Sequence, residues 1–159
     1  MDSETRRRLL AQYKDGYRAV ADALEGAAQA ELDARPAAGK WSSREIVHHL
    51  ADSEMMSAMR LRLLLAAERP AIAAYDQEEF ARRLHYERPI EASLAAFRAA
   101  RDSTAELLDR MSEADWLREG THPEHGRYGI DTWLGIYSKH AHDHASQIIR
   151  ARASSHTHD

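Results

Sequence analysis

Four long stretches of this chain repeat their apolar residues at the spacing of an α-helix, and no stretch sustains the two-residue alternation of a strand. That pattern restricts the fold to helices packed on helices. The first stretch covers about residues 3–30, with Leu9, Leu10, Tyr13, Tyr17, Val20, Ala21 and Leu24 on one side, and ends before Pro36 and Gly39. The second opens on Ser42-Ser43-Arg44-Glu45, a capping box with Ser42 as N-cap and Glu45 at the third helical position. Trp41 stands where it can pack on Ile46, and the helix is expected to run to about Ala67, before Pro70. Residues 70–75 read as extended loop and 76–83 as a short helix.

The third stretch begins near Pro89, a favoured first-turn residue, and carries Ile90, Leu94, Phe97, Thr104, Leu107, Leu108 and Met111 inward. Residues 112–116 add a short turn, and 120–129 read as a polar loop. The fourth stretch is expected to start at Asp131 as N-cap and to end near Arg152. The expectation is all-α: one four-helix bundle domain over residues 1–153, followed by a flexible tail over 154–159.

Charge and composition narrow the function. A net charge of −4 gives no nucleic-acid footprint, and the run Arg6-Arg7-Arg8 reads as a solvated helix face. With no cysteine, any metal must sit on His, Asp or Glu, and a cytoplasmic protein is expected. The first residues lack the apolar core of a signal peptide. The longest near-apolar run, residues 61–67, is too short to span a bilayer, so no membrane partner is expected.

The histidines carry the chemistry. His140, His142 and His144 lie within five positions of the fourth helix. At about 100° per residue, His140 and His144 fall in the middle of the apolar stripe, and His142 falls about opposite, toward solvent. On the second helix His49 lies at the stripe edge, whereas His48 points directly away. Two imidazoles four residues apart can grip one ion, and a third from another helix completes a three-histidine site with an open position. Glu54 falls inside the apolar stripe, where a carboxylate is costly unless paired.

At this point the residues resemble a known family. The segment Trp41-Ser42-Ser43-Arg44-Glu45-Ile46-Val47-His48-His49-Leu50-Ala51-Asp52-Ser53-Glu54 is similar to the first metal motif of the DinB-like superfamily, nearest its YfiT-like branch. Arg69 to Asp76, the loop His122-Pro123-Glu124-His125-Gly126, and His140-x-x-x-His144 resemble further motifs of that branch in the same order. The resemblance covers about residues 9–149. It implies a four-helix bundle, usually a homodimer, with the metal held by His49, His140 and His144. Relatives include S-transferases that use a low-molecular-weight thiol, and a hydrolase label that rests largely on the metal site. Glu54 sits where relatives vary, so it inherits no role.

The resulting expectation is a metal-dependent enzyme acting on a small-molecule substrate, with Zn²⁺ or Ni²⁺ on the three histidines. The reaction is hydrolysis or transfer of a low-molecular-weight thiol cosubstrate. Glu54 is the candidate general base or partner of a ligand imidazole, and equally a partner for a core arginine. His122 (with His125) and Tyr137 are candidates for binding substrate. The competing expectation is a non-catalytic bundle that binds metal or dimerises.

Overall fold

The structure, a computed structural model, describes residues 1–155. The part of the expected tail beyond Ser155 lies outside the described residues. Six α-helices and a two-stranded hairpin follow in order: α1 (Ser3–Leu24), α2 (Gln29–Asp33), α3 (Ser43–Ala66), α4 (Gln77–Arg83), α5 (Glu91–Leu108), β1 (Glu119–His122), β2 (Gly126–Gly129) and α6 (Ile130–Ser154), with a 3₁₀ turn at Asp115–Leu117. The fold is a four-helix bundle built from α1, α3, α5 and α6. Helix α1 packs on α5 and α6, and α3 packs on the same two. The consecutive long helices α1 and α3 therefore lie across a diagonal of the bundle, as do α5 and α6.

Local signals explain most of the boundaries. Ser42 and Glu45 form the expected capping box of α3: the Glu45 amide donates to Ser42 Oγ and the Ser42 amide to Glu45 Oε2. Asp76 caps α4 by accepting from the amides of Glu78 and Glu79. The first helix is shorter than its apolar pattern suggests. Gly26, at φ +65°, breaks the chain out of α1, and residues 29–33 re-form as α2.

Two other expectations are corrected. The loop over 120–129 is a β-hairpin, paired from Glu119↔Gly129 to His122↔Gly126. Four-residue strands are too short to display an alternation, and Gly126 at φ +68° makes the turn. The hairpin is stitched to the segment after α3: the Thr121 amide donates to Pro70 O and the Ile72 amide to Thr121 O. The N-cap of α6 is Gly129. Asp131 lies inside the first turn, where it accepts from the Thr132 amide and pairs with Arg127.

The interior is divided. One apolar cluster gathers Val20, Ile46, Leu50, Phe97, Ala141 and Ile148; the other gathers Tyr13, Leu61, Leu64, Leu108, Trp133 and Leu134. Between them on α3 and α5 come Glu54, Ser57, Arg101 and Thr104, all buried. Glu54 and Arg101 form an ion pair in this layer, each side chain 1% exposed. Tyr13 donates to Glu54 Oε1 at 2.5 Å, and Arg101 also donates to the Tyr13 and Tyr137 carbonyls. Gly16 makes room for the guanidinium: a Cβ there would lie 2.8 Å from both Arg101 Nη2 and Ala141 Cβ.

Candidate metal centre

The apolar half of the bundle that contains Ile46 and Ile148 also receives three imidazoles. Helix α3 delivers His49, and α6 delivers His140 and His144 one turn apart. His49 Nε2 lies 3.4 Å from His140 Nε2, and His144 Nε2 lies 3.2 Å from the same atom. One ring nitrogen from each residue falls within 4.8 Å of the other two. A divalent ion with nitrogen ligands at about 2.0–2.1 Å and tetrahedral angles separates its ligand atoms by roughly 3.3–3.4 Å, so the donor set fits such an ion.

The surroundings suit the same role. Burial, with His144 adding to it, pushes His49 down to about 3. Burial, followed by the charges possible on His144, His49 and Arg101, pushes His140 down to about 2. Burial also lowers His144, and its bond to Gln147 opposes that. All three rings are therefore neutral near pH 7, the state a metal ligand needs. His144 Nδ1 donates to Gln147 Oε1 at 2.9 Å, which leaves the Nε2 lone pair facing His140. His49 Nδ1 is buried with no hydrogen-bond partner. Trp41 packs on His49 with the ring planes tilted by 54° and centres 4.8 Å apart, and walls that side. Of the triad, His144 borders a cavity of about 620 Å³ shared with Trp41, Ile46, Gln77, Glu78 and Arg150.

The other histidines are placed differently from expectation. His48 does not face solvent. It is fully buried, with Nδ1 2.7 Å from Ser93 Oγ and Nε2 3.0 Å from Arg88 O, because the segment leading into α5 covers that side of α3. His142 is half-buried against α1 and donates from Nε2 to Gln12 O at 3.0 Å. A four-helix bundle buries more than one stripe of a central helix, which a single apolar moment does not reveal.

The remaining candidates do not gather at the triad. Glu54 sits in the ion-paired layer, both oxygens engaged by Tyr13, Ser57 and Arg101, in the core-arginine partnership rather than free as a base. Burial pushes its carboxyl up from the ordinary range, and Arg101 works against that. Tyr137 is buried, its ring 5.9 Å from that of His140, and its Oη accepts from Arg60 at 2.9 Å. His122 and His125 lie on the hairpin beside a second cavity of about 680 Å³, which Arg60 and Tyr75 also line. His122, Glu124 and His125 form another potential ligand group, two of its members exposed.

Arg60 escaped the sequence reading. It follows His49 by eleven residues, about three helical turns, and so lies on the same flank of α3. That spacing was the available signal.

A helical bundle with three neutral histidines converging from two helices defines a class. The chain belongs to the DinB superfamily, whose family model matches residues 12–148. It is 38% identical over 74% of its length to an Oceanobacillus iheyensis protein described as a candidate metal-dependent hydrolase, covering 69% of that protein. A Bacillus mycoides protein of the same description is 29% identical over 84% of this chain and 77% of its own. Among solved structures, YfiT from Bacillus subtilis superposes with a TM-score of 0.86 at 27% identity, over 93% of this chain and 86% of that one. It is described as a probable metal-dependent hydrolase with an unusual four-helix bundle topology.

Proposed function

We propose that this protein is a metal-dependent enzyme that activates a small nucleophile at His49, His140 and His144 for attack on a small-molecule electrophile. The convergence of the three Nε2 atoms carries this reading. A divalent ion there, Zn²⁺ or Ni²⁺, supplies Lewis acidity that makes water or a low-molecular-weight thiol nucleophilic near neutral pH. With water the reaction is hydrolysis, which the names of the relatives favour; with a thiol it is S-transfer.

The chain's own residues do the rest. His144 is oriented by Gln147, and Trp41 shields the His49 ring from water on one side. The cavity beside His144 has the size of a small-molecule site and gives access to the open side of the triad. His122, from the neighbouring cavity, and Tyr137, between Arg60 and His140, are the proposed substrate contacts. Glu54 acts on stability rather than on protons. No helix among the described residues is long and apolar enough to cross a membrane. A cytoplasmic location and pairing of two copies complete the proposal.

The test is a turnover screen of metal-loaded protein against monochlorobimane with a panel of thiols, and against simple esters and amides. Turnover that disappears in His144→Ala supports the reading, and the substrate that turns over separates transfer from hydrolysis. No turnover with any of them, at full metal occupancy, would favour a non-catalytic metal-binding bundle.

A further inference from the structure

Three arginines are buried among the described residues: Arg44, Arg60 and Arg101. Two have carboxylates. Arg44 pairs with Asp33 at 2.6 Å and Arg101 pairs with Glu54. Arg60 is 9% exposed and, among the described residues, has no carboxylate within ion-pair distance. It donates to two neutral acceptors, Tyr137 Oη at 2.9 Å and Ala73 O at 2.7 Å, and its Nε has no partner. A guanidinium stays charged at any physiological pH and offers five N–H donors, so a buried one without an anion is an unfilled demand.

Arg60 borders the 680 Å³ cavity, and so does His122. His122 is 4% exposed. Its Nδ1 accepts from the Glu124 amide at 3.1 Å, so the neutral ring carries its proton on Nε2, which is buried and unpartnered. Both residues line this cavity, and each keeps one buried N–H for which the protein supplies no acceptor. Asp76, Glu78 and Glu124 also line this cavity, but they are exposed and their charges are screened by water, unlike that of Arg60.

We propose that this cavity seats an oxyanion group of the substrate, a carboxylate or a phosphate, against Arg60 and His122. The two cavities share Gln77 and Glu78 as lining, and Tyr137 touches both sites through its Oη on Arg60 and its ring beside His140. A substrate anchored at Arg60 would extend past Tyr137 toward the triad, which makes the substrates of this protein acids. The extension rests on the triad being the reaction centre; the oxyanion seat does not.

The experiment is a titration of the full-length, metal-free protein with inorganic phosphate and, separately, with benzoate. It follows the Arg60 Nε–H signal in ¹H–¹⁵N spectra, assigned by its loss in Arg60→Gln, with chloride at matched ionic strength as the control. A saturable shift with either oxyanion and none with chloride is expected, and the tighter of the two identifies the group. Binding should weaken about tenfold or more in Arg60→Gln, while metal stoichiometry stays that of the wild type. No saturable shift with either anion, or undiminished binding in Arg60→Gln, overturns the proposal. Should Arg60→Gln fail to fold, assignment through neighbouring resonances lets the wild-type titration decide alone. Anion binding without metal binding would sink the metal-centre reading and leave the seat standing. Metal binding without anion binding would do the reverse.

Discussion

Two polar sites interrupt the interior of this bundle, and they are built in opposite ways. The Glu54–Arg101 layer is closed. Tyr13 from α1, Glu54 from α3, Arg101 from α5 and the Tyr137 carbonyl from α6 satisfy one another, so the layer ties all four long helices together. The triad is open. Its imidazoles face each other, His49 Nδ1 has no partner, and His144 borders a cavity. A buried polar network that satisfies itself specifies a fold, whereas one that does not is reserved for something from outside.

The largest contrast should appear on cutting each site. Glu54→Ala leaves the Arg101 charge buried and unpaired, and should cost about 3–5 kcal/mol of folding stability by chemical denaturation. Acidification should come next. The metal-free protein holds His49 and His140 neutral down to about pH 3 and 2, whereas in the unfolded chain each takes up a proton near 6.5. Between those values the unfolded chain binds more protons, so stability falls as pH drops below about 6.5. The loss is up to ~1.4 kcal/mol per pH unit for each ring, or about 3 kcal/mol in all at pH 5.5. Denaturation midpoints measured in chelator across pH 5.5–7.5 should show that slope, and the double variant His49→Gln with His140→Gln should flatten it. The smallest effect belongs to His140→Leu. Replacing an ill-satisfied imidazole with an apolar side chain should change the stability of the metal-free protein by less than about 1 kcal/mol. A loss as large as that of Glu54→Ala would erase the distinction between the two sites.

The helices and the inward histidines were legible because both depend on local spacing: apolar period and capping box gave α3, and angular position singled out His49, His140 and His144. What sequence spacing could not show depends on neighbours distant in the chain. His48 points away from the main stripe, yet residues 88–93 cover it. His142 rests on α1. Spacing left Glu54 equally open to chemistry or to a core arginine, because that arginine, Arg101, lies 47 residues away. The hairpin was hidden because its strands are four residues each and depend on the Pro70–Ile72 segment for support. Spacing puts Arg60 on the flank of His49, but that it lacks a carboxylate shows only when its partners are compared with those of Arg44 and Arg101.

The central claim is that the open site holds a metal ion. Protein purified without an affinity tag, equilibrated with Zn²⁺ or Ni²⁺ and freed of excess, should carry about one divalent ion per chain by elemental analysis. His140→Ala should lose that ion, and His122→Ala on the hairpin should retain it. A stoichiometry well below one per chain that His140→Ala leaves unchanged would contradict the account.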